Sequence, residues 1–348
     1  MPEKRLASPY AGLIPMLVVG LVGISALSIR LGAVPVLFDD MASALSKGWS
    51  APETLSMTER IFLEIRLPRA LTCILVGACL GVGGVLMQGL FRNPIVEPGL
   101  VGTSSGAAFG ASLYFVLGAA LKLHAGGWTL PIAACLGGTL ATAFVFLLAQ
   151  SSSASRESTT SLLLIGIAVN ALFLSGVGFL AYIARDPQAR SITFWSLGTL
   201  SGANWQAVLL ISAAIAVGLA IALRHARHLN ALMMGEDEAR YLGVEVAKLK
   251  VVITAVNVVI VAVATSFTGV ISFVGLIVPH LLRLMRGSDN RFLLIGGSLL
   301  GAIVLTAADI VARIAIRPAE LPIGIVTSAV GAPVFIALLR SRAYALRS

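Results

Sequence analysis

The residues of this sequence with the greatest capacity for chemistry are concentrated in one charged stretch, 225–250, which reads HARHLNALMMGEDEARYLGVEVAKLK. It contains four carboxylate residues, four basic residues and two histidines, His225 and His228. Carboxylates and imidazoles can bind metal ions or transfer protons. We nevertheless interpret these histidines as structural residues rather than as ligands, and we interpret His124 and His280 in the same way.

The remaining residues that could support catalysis lack the spacing that a catalytic site needs. Cys73, Cys79 and Cys135 lie inside apolar runs, which is typical of small buried side chains rather than of a disulfide framework or a metal site. None of the five lysines follows a glycine, so the chain lacks a P-loop lysine and cannot hydrolyse ATP itself. The apolar segments contain no His/acid or Ser/Lys constellation of an intramembrane enzyme. We therefore predict no catalytic residue, no metal ligand and no cofactor bound by this chain.

The elements that must position the charged stretch are long apolar helices. Hydrophobic residues make up 57% of the 348 positions and charged residues 12%, whereas a soluble domain has about 25% charged residues. The mean hydropathy of +0.95 is typical of a protein in a bilayer. The net charge of +9 is explained by basic residues that flank membrane spans, since no basic patch is interleaved with aromatic residues as in a nucleic-acid-binding surface.

Ten segments have the apolar length of about 20 residues that a spanning helix requires. We predict an all-α polytopic membrane protein with a single membrane domain over residues 1–348. The first segment is longer than the ~7–15-residue core of a signal peptide, so we interpret it as a retained span. Gly269 and Gly275 predict a tight turn, buried in protein, at the short eighth segment. The predicted spans are 10–31, 67–91, 97–119, 128–150, 158–184, 204–224, 248–268, 270–285, 292–314 and 320–340.

Two features predict how these spans are arranged. Glycines four residues apart, as at Gly77/Gly81 and Gly297/Gly301, favour close contacts between helix backbones. With the N-terminus inside, the inner segments collect 15 of the 25 lysines and arginines, which favours both termini in the cytoplasm. The bias is modest, which indicates that arginine has a role in the outer segments.

The centre of the charged stretch predicts a compact knob on the inner face. Gly235 precedes an acid-rich first turn that suits a helix N-terminus, Ala239 and Leu242 give one apolar face, and Gly243 ends the helix. The upstream residues 229–233 predict a second short amphipathic helix. A solvated connector is the alternative, but a mere connector would be shorter, so the pattern favours a docking knob for a soluble partner.

Several motifs resemble one family of membrane proteins. GEDEARYLGV (235–244) resembles the coupling loop of the FecCD/BtuC family, the permease subunits of iron-siderophore, haem and cobalamin ABC importers. The resemblance covers residues 60–340 in the family's order, and no single motif would be specific alone. The other stretches that resemble the family are RLPRAL (66–71), MQGLFRNPIVEPGLVGTSSGAA (87–108), SFTGVISFVGLIVPHLLR (266–283), DIVAR (309–313) and ELPIGIVTSAVGAPVFI (320–336).

This resemblance implies an architecture and a set of partners. The implied fold is the BtuC-like permease fold with ten helices, and the implied assembly is a homodimer around a central pathway in the bacterial inner membrane. Two ATPase subunits that use ATP and Mg bind below, and a periplasmic binding protein docks above. Residues 225–247 are then the cytoplasmic coupling loop. Its implied contacts with the ATPase are Gly235, Glu236, Ala239, Leu242 and Gly243.

The outer arginines are expected to meet the binding protein. Arg66, Arg69 and Arg313 match family positions that meet glutamates of that protein, and arginine offers a planar pair of donors to a carboxylate. Snorkelling at the membrane interface is an alternative for all three. Asp309 could also pair with Arg313 four residues later.

The family pattern also implies a gate and a pathway. The cytoplasmic gate is expected at Asn93, Ile95, Thr159 and Thr160, although Asn93 could equally be part of an ordinary turn before Pro94. The expected lining of the pathway is Asn170, Phe173 and Ser175. The sequence places every acid near the end of a span, which disfavours a secondary transporter that couples to protons or cations in the middle of the membrane.

The cargo is the least constrained part of this interpretation. The stretch EPGLVGTSSGAA (97–108) resembles haem permeases more than siderophore permeases, which more often have alanine in place of the second serine, Ser105. We therefore expect haem as the cargo, with a ferric siderophore and cobalamin as the alternatives.

Overall fold

The computed structural model describes residues 12–32, 34, 36–118, 126–151, 159–316 and 318–345, and within these ranges the chain is helical without a strand. Short 3-10 turns at Pro52–Thr54, Pro98–Val101 and Gly126–Trp128 and a π-helical turn at Phe62–Arg66 connect the longer helices. The α-helices of the described residues are α1 Leu13–Arg30, α2 Phe38–Ser50, α3 Met57–Ile61, α4 Leu67–Phe91, α5 Thr103–Leu117, α6 Thr129–Ser151, α7 Thr159–Ile183, α8 Asp186–Ser196, α9 Trp205–Met234, α10 Glu236–Tyr241, α11 Val246–Thr268, α12 Val274–Arg286, α13 Asn290–Ile314 and α14 Ile323–Ala345.

The helices correspond to the ten predicted spans. In the described part of the chain, seven helical segments are long and apolar enough to cross a membrane. Three shorter helices complete the set: α5 has 15 residues, α12 has 13, and α14 has an apolar part from Ile323 to Leu338. The predicted all-α membrane architecture is therefore confirmed.

Some predicted positions lie outside the described residues. His124 and the first 11 residues are among them. The backbone of α7 begins at Thr159, but the side chains of Thr159 and Thr160 are also outside the description.

Helix α4 is the centre of the bundle. All of its residues from Val76 to Phe91 are buried, and the helix packs against α9, α11, α12 and α13. A helix that is apolar on every face is stable only where other helices surround it. The apolar composition of α4 therefore agrees with its central position.

Glycines bring α4 and α13 into backbone contact. A Cβ atom at Gly77 would overlap the carbonyl oxygen of Gly301, and one at Gly81 would overlap that of Gly297. Small residues at this spacing let helix backbones approach, and packing of this kind is a main source of helix association in membranes. The predicted glycine contacts are confirmed.

Two non-helical segments lie inside the bundle and replace parts of predicted spans. Helix α5 begins at Thr103 rather than at residue 97, and α12 begins at Val274 rather than at 270. The predicted turn is present at Gly269, whose φ of 71° favours glycine and whose Cβ would overlap the carbonyl oxygen of Trp195. Phe273 ends this segment with a φ of 69°, an uncommon conformation for a residue with a side chain.

The charged stretch has a different helical structure from the predicted one. Residues 225–234 continue α9 without a break, so the second short helix predicted upstream of Gly235 is not formed. The reason is that residues 225–234 contain neither glycine nor proline to end the helix. Only α10 is a separate short helix.

Candidate functional site

The knob at α10 starts at a residue that has to be glycine. Gly235 has a φ of 149°, and a Cβ there would overlap the carboxylate of Glu238. Gly243 follows the helix with a φ of 81°. These two glycines allow the six residues of α10 to reverse the chain between α9 and α11.

The two faces of α10 have different environments. Ala239 is fully buried against the chain itself, and the side chain of Glu236 also points inward. Tyr241 is 90% exposed and Leu242 is 64% exposed, and Met234 before the turn is similarly exposed. The apolar tip of α10, formed by Tyr241, the adjoining Leu242 and Met234 at the end of α9, is thus a candidate contact surface for a partner. Of the predicted coupling residues only Leu242 belongs to this tip, and Met234 and Tyr241 were not predicted.

Glu236 connects α10 with two other elements. Its carboxylate accepts a hydrogen bond from Lys250 Nζ of α11 at 2.9 Å. The other carboxylate oxygen lies 3.9 Å from an Nη atom of Arg92. Arg92 ends α4 in the left-handed conformation, with a φ of 51°. One carboxylate therefore bridges the knob, α11 and the end of the central helix.

The predicted gate residues Asn93 and Ile95 lie directly after Arg92. The side chain of Asn93 accepts a hydrogen bond from the backbone N–H of Ile95 at 3.0 Å, which forms an Asx turn. The side chain of Ile95 is exposed. The structure brings these two residues together, and the participation of Thr159 and Thr160 stays a prediction.

A cavity of about 360 Å³ lies between the two non-helical segments and α7. Leu80, at the middle of α4, is part of its wall. The wall therefore reaches the centre of the bundle. The polar residues that line the cavity are Glu97, Ser104, Ser105, Asn170, Ser196 and Ser272.

One of the three predicted lining residues reaches this cavity. Asn170 lines it, accepts a hydrogen bond from the hydroxyl of Ser105 and donates one to the carbonyl oxygen of Leu100 at 2.9 Å. Phe173 instead packs edge-on against Phe109, with ring centroids 5.4 Å apart. Ser175 is exposed and donates to the carbonyl oxygen of Ala171. Phe173 and Ser175 are therefore not part of this cavity.

Glu97 corrects one prediction from the sequence. It was placed at the end of a span, but it lines the cavity beside Leu80, in the middle of α4. Residues 92–102 return into the bundle before α5 begins, and the Glu97 carboxylate accepts a hydrogen bond from the backbone N–H of Phe273 at 2.8 Å. The Pro98–Gly99 pair is the sequence signal that could have indicated this turn. The absence of an acid in mid-membrane therefore no longer argues against a cation-coupled transporter.

The predicted docking arginines form a cluster at the opposite end of α4. The 25 residues of α4 separate this end from Arg92 by ~37 Å at the rise of an α-helix. The buried carboxylate of Asp309 lies 2.9 Å from both Arg69 and Arg313, and Arg69 also contacts Glu320 at 2.9 Å. The predicted pairing of Asp309 with Arg313 is confirmed.

Arg66 lies in the same cluster. Its guanidinium donates to the carbonyl oxygens of Leu31 and Val34, and Arg313 also donates to that of Leu31. A pocket of about 670 Å³ is lined by the three arginines and Glu320. The guanidinium groups thus contact groups of their own chain, and a role in docking stays a prediction.

The described residues contain no group of three or more His, Cys, Asp or Glu side chains that could hold a metal ion. The rings of His225 and His228 are 5.6 Å apart, and His225 Nδ1 lies 2.9 Å from the carbonyl oxygen of Ile221. The two rings belong to the part of α9 that leads to the knob.

Comparisons with known proteins agree with these features. A model of the FecCD transport family matches residues 20–341. The hemin transport system permease protein HmuU of Yersinia pestis is 41% identical over 279 residues, which are 80% of this chain and 83% of that protein. The cobalamin import system permease protein BtuC of Halobacterium salinarum is 39% identical over 314 residues, which are 89% of this chain and 82% of that protein.

Solved structures show the same fold. A metal-chelate type ABC transporter in an inward-facing conformation matches 95% of this chain and 100% of its own chain, with a TM-score of 0.83 and 32% identity. PsaBC from Streptococcus pneumoniae in complex with Fab matches 86% of this chain and 95% of its own chain, with a TM-score of 0.53 and 17% identity, which supports the fold alone.

These matches determine the class of the protein. Family members are transport permeases of ABC importers, in which a separate ATPase hydrolyses ATP, so this chain is not an enzyme. It is a multi-pass membrane protein that works with an ATPase and a binding protein. The chain is therefore a member of the FecCD transport family.

Proposed function

We propose that this chain is the permease subunit of a haem importer, which moves haem from a periplasmic binding protein across the inner membrane to the cytoplasm. The observation that carries the proposal is the 41% identity to the hemin transport system permease protein of Yersinia pestis. Cobalamin and ferric siderophores are the second candidates. The cobalamin permease of Halobacterium salinarum is 39% identical and aligns with more of this chain.

Haem permeases tend to differ from siderophore permeases at the position of Ser105, and this residue lies close to the proposed pathway. Ser105 lines the central cavity and donates a hydrogen bond to Asn170 of α7. A hydroxyl at this position fixes the wall of the cavity, and it would contact a cargo that passes. Ser105 therefore supports the assignment of the cavity to the translocation pathway.

The assembly that we propose is a homodimer with two ATPase subunits and one binding protein. The apolar tip of α10 enters a cleft of each ATPase, because exposed apolar side chains that protrude from a charged surface are suited to a protein partner. Arg66, Arg69 and Arg313 face the binding protein at the opposite end, where acids of that protein compete with Glu320 for Arg69. Both termini lie in the cytoplasm in this arrangement.

The chemistry of transport requires little from this chain. ATP and Mg are used by the partner ATPase, haem is cargo rather than a resident cofactor, and the chain itself binds no cofactor. The polar wall of the cavity consists of hydroxyl groups, one amide and one carboxylate. Conduction requires binding that is weak enough for release, which hydroxyl and amide groups provide better than a strong iron ligand would.

A reconstitution with three cargoes tests the proposal. The permease, its ATPase and its binding protein are incorporated into vesicles, and the binding protein is loaded with haem, a ferric siderophore or cobalamin. We expect ATP-dependent uptake of haem and background uptake of the other two. Uptake of cobalamin or the siderophore instead of haem would show that this compound is the cargo. Uptake of none of the three would refute the proposal.

A further inference from the structure

Glu236 is the one carboxylate of the first turn of α10 that points into the protein. Its side chain is 16% exposed, whereas the side chain of Asp237 is 78% exposed. Lys250, its closest partner, is 11% exposed. An ion pair shielded from water in this way is held more firmly than a surface pair, because removal of one partner leaves a poorly solvated charge.

A second ion pair of the same region provides the contrast. Glu245 and Lys248 lie 4.0 Å apart, and their side chains are 78% and 73% exposed. Exposed pairs of this kind contribute little to stability or to force transmission, since both side chains can be solvated. The same region thus contains a shielded ion pair and a solvated ion pair.

The contact of Glu236 with Arg92 leads to the gate. Arg92 terminates α4, and Asn93 and Ile95 follow it immediately. Because Arg92 adopts the left-handed conformation, it fixes the direction in which the chain leaves the central helix. A movement of Arg92 therefore changes the orientation of the segment that contains Asn93 and Ile95.

The end of α9, at the base of the knob, is attached to the bundle. This attachment limits the other routes by which a movement of the knob could reach the gate. The side chain of Asn230 near the end of α9 accepts hydrogen bonds from the backbone and the side-chain amide of Asn290 at 2.9 and 2.8 Å. This contact joins α9 to the start of α13, so α9 near the knob belongs to the rigid part of the protein. Helix α10, bounded by Gly235 and Gly243, is the part that can tilt.

We infer that Glu236 is a positioning residue that transmits a tilt of α10 to the gate segment through Arg92, while Lys250 holds its carboxylate in place. The inference rests on the proposed function of α10 as the contact with the ATPase. The exposed side chains of Tyr241 and Leu242 receive the movement, and Glu236 on the inner face of α10 passes it on.

The test measures transport and ATP hydrolysis together in the reconstituted complex. In Glu236→Gln we expect normal assembly and normal ATP hydrolysis stimulated by the binding protein. The amount of cargo moved per ATP should decrease ~5-fold or more, which is the size of effect expected when coupling between two sites is lost. Glu245→Gln is the matched control, with the same chemical change on an exposed pair, and it should transport like the wild type. In Tyr241→Ala, by contrast, ATPase association and hydrolysis should both decrease.

Exchanging the charges of Glu236 and Lys250 distinguishes two roles of this ion pair. The pair either transmits movement to Arg92 or is purely structural. The double variant Glu236→Lys/Lys250→Glu restores the pair with α11 but places a cation next to Arg92, and we expect it to remain uncoupled. The triple variant, which adds Arg92→Glu, restores both contacts and should recover coupling. Full coupling in the double variant, or none in a correctly assembled triple variant, would overturn the inference.

A labelling experiment monitors the gate directly. In a Cys135→Ser background, the rate of thiol modification of Ile95→Cys should change in the wild-type complex when vanadate traps the ATPase. The same change should be absent in Glu236→Gln. If the modification rate of Glu236→Gln changes as much as that of the wild type, or if this variant no longer binds the ATPase, the inference is contradicted. If the wild-type complex itself neither transports nor hydrolyses ATP, the proposed function fails rather than the role of Glu236.

Discussion

At the scale of single residues, Asp309 determines the arrangement of the arginine cluster. Its carboxylate is 1% exposed and is shared by Arg69 and Arg313, each at 2.9 Å. One buried acid can compensate the charges of two arginines only while it is in contact with both. The cluster thus has a structural role within this chain, whether or not an acid of the binding protein also contacts it.

We predict that Asp309→Asn destabilises the protein by about 3 kcal/mol or more, because breaking a buried ion pair leaves uncompensated charge. The measurement is thermal unfolding of the purified protein in detergent. Asp237→Asn is the control, since its pair with Arg240 is exposed, and exposed pairs contribute about 0–1 kcal/mol. Equal unfolding temperatures for the two variants would contradict the account of this cluster.

Residue types were easier to predict from the sequence than their contacts. The pair of Asp309 and Arg313 follows from helical spacing, and it is present. The contact of Arg69 with Asp309 joins residues 240 positions apart, which no local pattern reveals. The depth of Glu97 was missed because an apolar run without charges hides the break before α5. Tyr241 was missed because its exposure depends on how α10 lies on the bundle.

At the scale of elements, the close contact of α4 with α13 holds the central helix. The glycines that face each other leave no room for a side chain, as the overlap of a Gly81 Cβ with the carbonyl oxygen of Gly297 indicates. The two helices pack along their length, and α4 ends just before Asn93 and Ile95, the predicted gate residues. The separation of these helices would therefore displace these two residues as well.

We predict that Gly81→Ala lowers stability by about 1–3 kcal/mol, the usual cost of overpacking a close contact. Gly23→Ala in α1 is the matched control, because no heavy atom lies within 4 Å of its Cβ position. Both variants gain the same helix propensity, so the difference between their unfolding temperatures isolates the contact with α13. A Gly81→Ala variant as stable as Gly23→Ala would show that the helices separate without cost.

The elements themselves were predictable where the apolar pattern is continuous. Helix α4 spans the predicted residues 67–91, and α13 extends the predicted span by only two residues. The lengths of the non-helical segments before α5 and α12 were not predicted, because hydropathy alone does not distinguish a buried turn from a buried helix. The extension of α9 into the charged stretch was missed because polar residues were interpreted as the end of the helix.

At the scale of the whole molecule, the two predicted contact surfaces lie at opposite ends of the bundle, and a cavity with several polar side chains lies between them. The tip of α10 and the gate segment are at one end, and the arginine cluster is at the other. The family assigns nucleotide hydrolysis to a separate subunit. We therefore propose that transport through this chain is powered from outside it, through α10.

The most direct test is uptake into vesicles that contain the permease with or without its ATPase, in the presence of loaded binding protein and ATP. We predict accumulation against a gradient only in vesicles that contain the ATPase, and no accumulation driven by a proton gradient in either preparation. The measurement with a proton gradient is essential because the cavity contains an ionisable group, the Glu97 carboxylate. Uphill uptake by vesicles that lack the ATPase would contradict the account.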